Sequence, residues 1–254
     1  MQLTALPALD DNYIWQLADA DGRWLVVDPG EAGPVLARAG SGPGPEAILL
    51  THHHGDHVGG VAALRQRWPA VAVYGPADPR IAALVDHPLG DGVRIQAGSW
   101  AFDVLAVPGH TASHIAFHGQ GLLFCGDTLF SLGCGRLFEG TPREMLGALD
   151  RLRALPGSTL VCCGHEYTLA NAAFARVVDP DNAALRRRHE EAIAMRDTAQ
   201  PTLPSTLAGE LACNPFLRID APAVRQSVLA HDPTADGRVE AFAALRRWKD
   251  GFRA

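Results

Sequence analysis

Over the first two-thirds of the chain, short apolar β-like runs alternate with turn residues and amphipathic stretches. Residues 3–9, 14–17 and 24–27 read as strands, the third punctuated by Asp28-Pro29-Gly30. Residues 35–39 form part of a short helix ended by Gly40, and residues 47–50 a buried strand that runs into a histidine-rich loop. A helix over 61–68 and strands over 71–74 and 102–107 follow, the last stopping at Pro108-Gly109. Residues 115–118 and 122–125 pair as a hairpin around Gly119-Gln120-Gly121. Residues 142–155 make an amphipathic helix with Pro142 at its start and Pro156-Gly157 after its end, and 160–163 one more strand.

The pattern changes after His165. No convincing strand follows, and residues 169–178, 183–198, 223–230 and 238–252 read as helices, with 200–215 a Pro-containing connection. The expected organisation is a mixed α/β domain over 1–165 and a smaller helical domain over 166–254.

Composition narrows the function classes. In 254 residues, 47% hydrophobic content permits a proper core. There is no apolar run of membrane-spanning length and no charged-then-apolar leader, so the expectation is a soluble cytoplasmic protein without a membrane partner. The five cysteines form no CxxC pair, which argues against a disulfide framework or a cysteine zinc site. A net charge of −6 gives no support for nucleic-acid binding.

The strongest chemical signal is Thr51-His52-His53-His54-Gly55-Asp56-His57, directly after the apolar strand at 47–50. Neutral imidazole and carboxylate are ligands that Zn, Fe and Mn accept. In an extended segment His52 and His54 point the same way, because side chains alternate. Asp56 and His57 then lie on the following turn. Four ligands on so short a loop do not easily surround one ion, which points to a second ion and to further ligands elsewhere. Three candidates repeat one pattern, an apolar strand, a glycine and a ligand: Gly109-His110, Gly126-Asp127 and Gly164-His165. His53 is expected to point away, His114 to support a ligand or be structural, and His87, His118, His189 and His231 to be ordinary surface or core residues. Asp28 reads as a turn residue or as a partner of a ligand.

These residues carry a resemblance. His52-x-His54-x-Asp56-His57 resembles the HxHxDH mark of the metallo-β-lactamase superfamily. The chain is more closely similar to the glyoxalase II (hydroxyacylglutathione hydrolase) family, through Leu6-Pro7-Ala8-Leu9, Asp11-Asn12-Tyr13, residues 51–60, Gly126-Asp127-Thr128-Leu129-Phe130 and Gly164-His165-Glu166-Tyr167-Thr168. Asn214-Pro215-Phe216-Leu217-Arg218 and Arg246-Arg247-Trp248-Lys249-Asp250 extend it into the tail. The resemblance implies an αββα sandwich followed by a helical domain. It implies two divalent ions, with zinc the first expectation and iron or manganese the alternatives. One ion would take His52, His54 and His110, the other Asp56, His57 and His165, and Asp127 would bridge. Solvent between the ions would be the nucleophile, with Asp56 a candidate proton acceptor.

The implied reaction is hydrolysis of S-D-lactoylglutathione to D-lactate and glutathione by a monomeric enzyme. Glutathione carries two carboxylates, which calls for fixed cations. Arg246 and Lys249 stand three apart on a helix, and Arg136 lies in a glycine-rich loop soon after Asp127. Tyr167 offers a phenol. Phe138 sits where eukaryotic members carry tyrosine, and Arg136 where they carry lysine, so Phe138 cannot supply a hydroxyl to the substrate. Arg186, Arg187 and Arg188 read as solvated surface. The nearest rival keeps the fold and changes the reaction: a persulfide dioxygenase-like enzyme with one iron. A metal-stabilised binding module is the non-enzyme alternative.

Overall fold

The computed structural model describes residues 1–253. It falls into two compact units: residues 1–106, 113–126 and 162–165 form the first, and residues 107–112, 127–161 and the described residues from 166 onward the second.

In the first unit, β1 (Gln2–Ala8), β2 (Asn12–Ala18), β3 (Trp24–Val27), β4 (Ala47–Leu49), β5 (Ala72–Pro76) and β6 (His87–Leu89) follow one another across a six-stranded sheet. The pairings β1–β2–β3 are antiparallel and β3–β4–β5–β6 parallel. The helices α1 (Gly33–Ala39), α2 (Gly55–Val58) and α3 (Val61–Arg67) occupy the connections. Val35, Val61 and Leu64 are fully buried in one cluster with Ile14, Val26, Ile48 and Val73, so α1 and α3 cover one face of the sheet. Each such side chain contributes about 1.5–3 kcal/mol when fully buried. The central strands β3 and β4 read as unbroken apolar runs because they are buried along their whole length.

The second sheet runs β7 (Arg94–Ala97), β8 (Trp100–Ala106), β9 (Ile115–Gly119), β10 (Leu122–Gly126), and then β13 (Leu160–Cys163). Phe102, Phe117 and Phe124 stack edge-to-face within it, with centroids 6.0 and 6.3 Å apart. Trp15 of β2 donates its indole N–H to the Cys163 carbonyl at 2.9 Å, and Tyr13 donates its main-chain N–H to Gly164 at 2.8 Å. The start of β2 is therefore stapled to the end of β13, the strand end that carries His165.

The second unit holds the hairpin β11 (Leu129–Phe130) and β12 (Gly133–Cys134), α4 (Pro142–Arg153), the first half of β13 paired to β14 (Ser205–Thr206), and α5 (Thr168–Val178), α6 (Ala183–Asp197), α7 (Leu207–Cys213), α8 (Pro222–His231) and α9 (Arg238–Gly251). A capping box starts α4: Thr141 accepts from the Glu144 N–H while Glu144 accepts from Thr141, an arrangement worth about 1 kcal/mol. Phe174, Phe216, Phe242, Trp248 and Phe252 form a continuous aromatic core in this unit.

The connection expected over 200–215 is corrected. Thr206 caps α7 by accepting from Gly209 N–H, and the helix buries its own Leu207, Glu210 and Cys213. The expectation of no strand after His165 is corrected too, since β14 adds two residues to β13. A two-residue strand and a seven-residue helix containing glycine leave no periodic trace in the sequence. Arg188 is not solvated surface either: it donates to the Thr202 carbonyl at 2.6 Å.

Candidate metal centre

The strand β4 ends at Leu49, and the chain continues as an extended segment through Thr51, His52, His53 and His54 before α2 turns Asp56 and His57 back. Gly30 makes room for that turn, because a Cβ there would stand 1.9 Å from the Asp56 carbonyl oxygen. His52 and His57 are fully buried.

The ring orientations follow from the partners of Nδ1. A carboxylate can only accept, so His57, 3.1 Å from Asp28, carries its hydrogen on Nδ1 and presents a lone pair at Nε2. Asp28 also accepts the Thr51 hydroxyl at 2.7 Å and the Thr51 N–H at 2.8 Å. With its hydrogen spent on Asp28, the Thr51 hydroxyl accepts from His52 Nδ1 at 3.0 Å. His52 Nε2 is thereby turned toward His54, whose Nδ1 lies 3.1 Å away. One buried carboxylate thus fixes two rings, one directly and one through Thr51.

His165 repeats the device at the end of β13. Its Nδ1 lies 2.7 Å from Asp11, which leaves Nε2 facing Asp56 Oδ2 at 3.4 Å. His57 Nε2 lies 3.5 Å from the same oxygen. Asn12 holds that carboxylate, donating its amide to Asp56 Oδ2 at 3.1 Å and to the Asp56 carbonyl at 3.2 Å.

In the second unit, His110 donates from Nδ1 to the Arg136 carbonyl at 2.9 Å and faces Asp127 Oδ2 with Nε2 at 3.5 Å. Gly135 permits this, since a Cβ there would meet the Asp127 carbonyl at 1.9 Å.

The donor set fits a divalent ion. Asp56, His57 and His165 each offer one ligand atom, and these atoms lie within 4.8 Å of one another. Ligands about 2.1 Å from a tetrahedral centre stand about 3.4 Å apart, which matches the 3.4 and 3.5 Å separations around Asp56 Oδ2. Imidazoles anchored at Nδ1 by carboxylates or carbonyls are the usual state of metal-bound histidine.

The remaining histidines behave otherwise. His53 turns to Asp78 at 3.5 Å, where Arg80 and then Ser113 hold the Asp78 carboxyl well below the usual carboxylate range. His114 stacks on His52 at 4.5 Å and bonds the Ile115 carbonyl, so it backs a ligand ring. Burial pushes the Cys162 thiol well above its ordinary value, which removes it as a nucleophile.

Three comparisons with known proteins bear on this arrangement. Residues 13–165 match the metallo-beta-lactamase superfamily, and residues 166–252 match the hydroxyacylglutathione hydrolase C-terminus. The chain is 61% identical, over the full length of both, to a hydroxyacylglutathione hydrolase of Xanthomonas axonopodis pv. citri. It belongs to the hydroxyacylglutathione hydrolase family. Solved structures agree on the fold: BLEG-1 B3 metallo-beta-lactamase superposes with a TM-score of 0.64 at 24% identity, covering 85% of this chain and 99% of that one. TTHA1623, solved in a di-iron-bound form, gives a TM-score of 0.54 at 32% identity, covering 65% of this chain and 92% of its own. The expected metallo-β-lactamase fold with a helical C-terminal part is thus the one observed, and the His and Asp clusters make this hydrolase metal-dependent.

The residues that the hydroxyacylglutathione hydrolase resemblance assigns to glutathione all lie in the second unit. Arg246 is only 5% exposed, and its two terminal nitrogens bond the protein: one donates to the Cys134 carbonyl at 2.6 Å and the other to Asp250 at 3.0 Å, while the guanidinium lies over the Phe216 ring. Asp250 also stands 3.6 Å from Arg136, whose side chain is mostly exposed. Lys249 donates to the Ala170 carbonyl at 3.1 Å and lies near the Phe174 and Phe252 rings. Burial, then the nearby Arg246 and Arg136, lower the Lys249 ammonium to about 8. Phe138 is 63% exposed with its ring against His110, and Tyr167 packs on Phe130. Sequence reasoning gave no role to Asp11 or Asn12. An acid and an amide in a turn look like turn-formers, and only a tertiary fold brings them to His165 and Asp56.

Proposed function

We propose that this chain hydrolyses S-D-lactoylglutathione to D-lactate and glutathione at a two-ion centre. In this reading His52, His54 and His110 hold one ion, and Asp56, His57 and His165 the other. Asp127 would be the ligand common to both, and zinc is preferred over iron or manganese. The Nδ1 anchoring of four of these rings supports it, since each ring then offers Nε2 as a ligand. The di-iron form of TTHA1623 supports the count of two.

When bound, the ions supply what no side chain here offers, a nucleophilic water at neutral pH and a polarised thioester carbonyl. The water oxygen adds to the carbonyl carbon, the carbon–sulfur bond breaks, and glutathione leaves as its thiol after taking up a proton. Asp56, held by Asn12, receives the proton from water in this reading. Lys249 and Arg136 pair with the glutathione carboxylates, Tyr167 donates its phenol, and Phe138 gives an apolar flank. Arg246 enters as the residue that fixes the loop carrying Cys134 and Arg136. The catalytic part spans 1–165 and the substrate-binding part 166–254, in a cytoplasmic monomer. No described helix is long and apolar enough to cross a membrane.

The full-length match, which includes the helical C-terminus, carries this reading over the single-iron persulfide dioxygenase alternative. The test is release of free thiol from S-D-lactoylglutathione by purified protein, with a glutathione persulfide assay beside it. Thioester turnover is expected. Persulfide oxidation without thioester turnover would overturn it.

A further inference from the structure

We infer that the turn between β1 and β2 is a positioning device for one of the two metal positions and not for the other. The inference rests on the two-ion reading above.

Two consecutive side chains, Asp11 in this turn and Asn12 at the start of β2, reach two different ligands. Asp11 takes the Nδ1 hydrogen of His165 at 2.7 Å, and Asn12 donates to the Asp56 carboxylate at 3.1 Å. The first fixes the ring of His165 and raises its basicity; the second fixes the carboxylate rotamer. His52 takes its orientation instead from Thr51, and His110 from the Arg136 carbonyl. The turn therefore acts on the Asp56, His57 and His165 position.

The turn is itself held from both sides. Leu9 donates its N–H to Glu31 at 2.7 Å, and Asn12 bridges the His165 backbone, next to the Tyr13 bond to Gly164. Leu9 sits at φ +50° although its side chain is exposed. A leucine in the left-handed region costs about 1–2 kcal/mol, and its own exposed side chain recovers little of that. Strain kept in a turn that touches two ligands is consistent with a geometry held for the site.

Asp11 is half-exposed, so its replacement leaves the core intact. The experiment titrates zinc into metal-free full-length protein against a chromophoric chelator, for wild type, Asp11→Ala, Asp11→Asn and, as a control on the same turn, Asp10→Ala. Thermal unfolding of each metal-free protein checks its fold. Loss of such an outer partner weakens metal binding about 10–100-fold. In Asp11→Ala one of two dissociation constants should rise by that factor while the other stays. Asp11→Asn, which keeps an acceptor, should lose less, and Asp10→Ala nothing. Equal weakening of both constants, or of neither, overturns the inference. A wild-type protein that takes up one equivalent overturns the two-ion reading first, and the claimed selectivity with it.

Discussion

His57 gives its Nδ1 hydrogen to Asp28 across 3.1 Å, and both side chains are buried. Because the same carboxylate accepts both donors of Thr51, its removal strands three buried groups at once. Asp28→Ala should destabilise the protein by about 2–4 kcal/mol and sharply reduce bound metal. Urea unfolding and metal content on one preparation check this; wild-type values in both would contradict the assigned role. Asp28 itself lies at φ +52°, a region that aspartate tolerates better than most residues.

The lowered Lys249 ammonium predicts a pH dependence of binding. Below pH of about 8 the side chain carries its charge and attracts a glutathione carboxylate; as pH rises through about 8 the charge is lost. Then kcat/KM, which reports the free enzyme, should fall above pH 8 while kcat stays nearly level. Lys249→Ala should raise KM far more than it lowers kcat, and should erase that alkaline limb. Steady-state kinetics from pH 6.5 to about 9.5 decide it, and a limb that persists in the variant would assign it to another group.

Arg246 spans two partners with a planar fork, the Cys134 carbonyl and Asp250. Lysine cannot reproduce that pair of bonds. Arg246→Lys should cost about 1–3 kcal/mol of stability and raise KM by loosening the Cys134–Arg136 loop. Denaturant midpoints and KM on the same preparation test both parts. An unchanged midpoint with a large rise in KM would mean direct contact with substrate instead.

Much of this was legible in the sequence, for physical reasons. Strands such as β4 and β10 are apolar throughout because they are buried on both faces, and helices such as α4 carry a cap, a proline start and an apolar stripe. The ligand candidates stood out because each follows a strand and a glycine. The strand β6 was hidden by Pro88 in its three residues, and α2 by being a single turn. Partners such as Asp11 and Asn12 left no local signal, because their role comes from a hydrogen bond spanning 154 residues in one case and 44 in the other. Arg246 looked like a helix-face cation because sequence spacing cannot separate a buried guanidinium from an exposed one.

The central claim is that imidazoles anchored at Nδ1, together with Asp56 and Asp127, hold two ions on which thioester hydrolysis depends. The most direct measurement adds zinc stepwise to metal-free protein and records bound metal and S-D-lactoylglutathione turnover at each step. Turnover is predicted to be absent without metal and to reach its maximum at two equivalents per chain. Full turnover in the metal-free protein, or an ion bound with no effect on rate, would contradict the account.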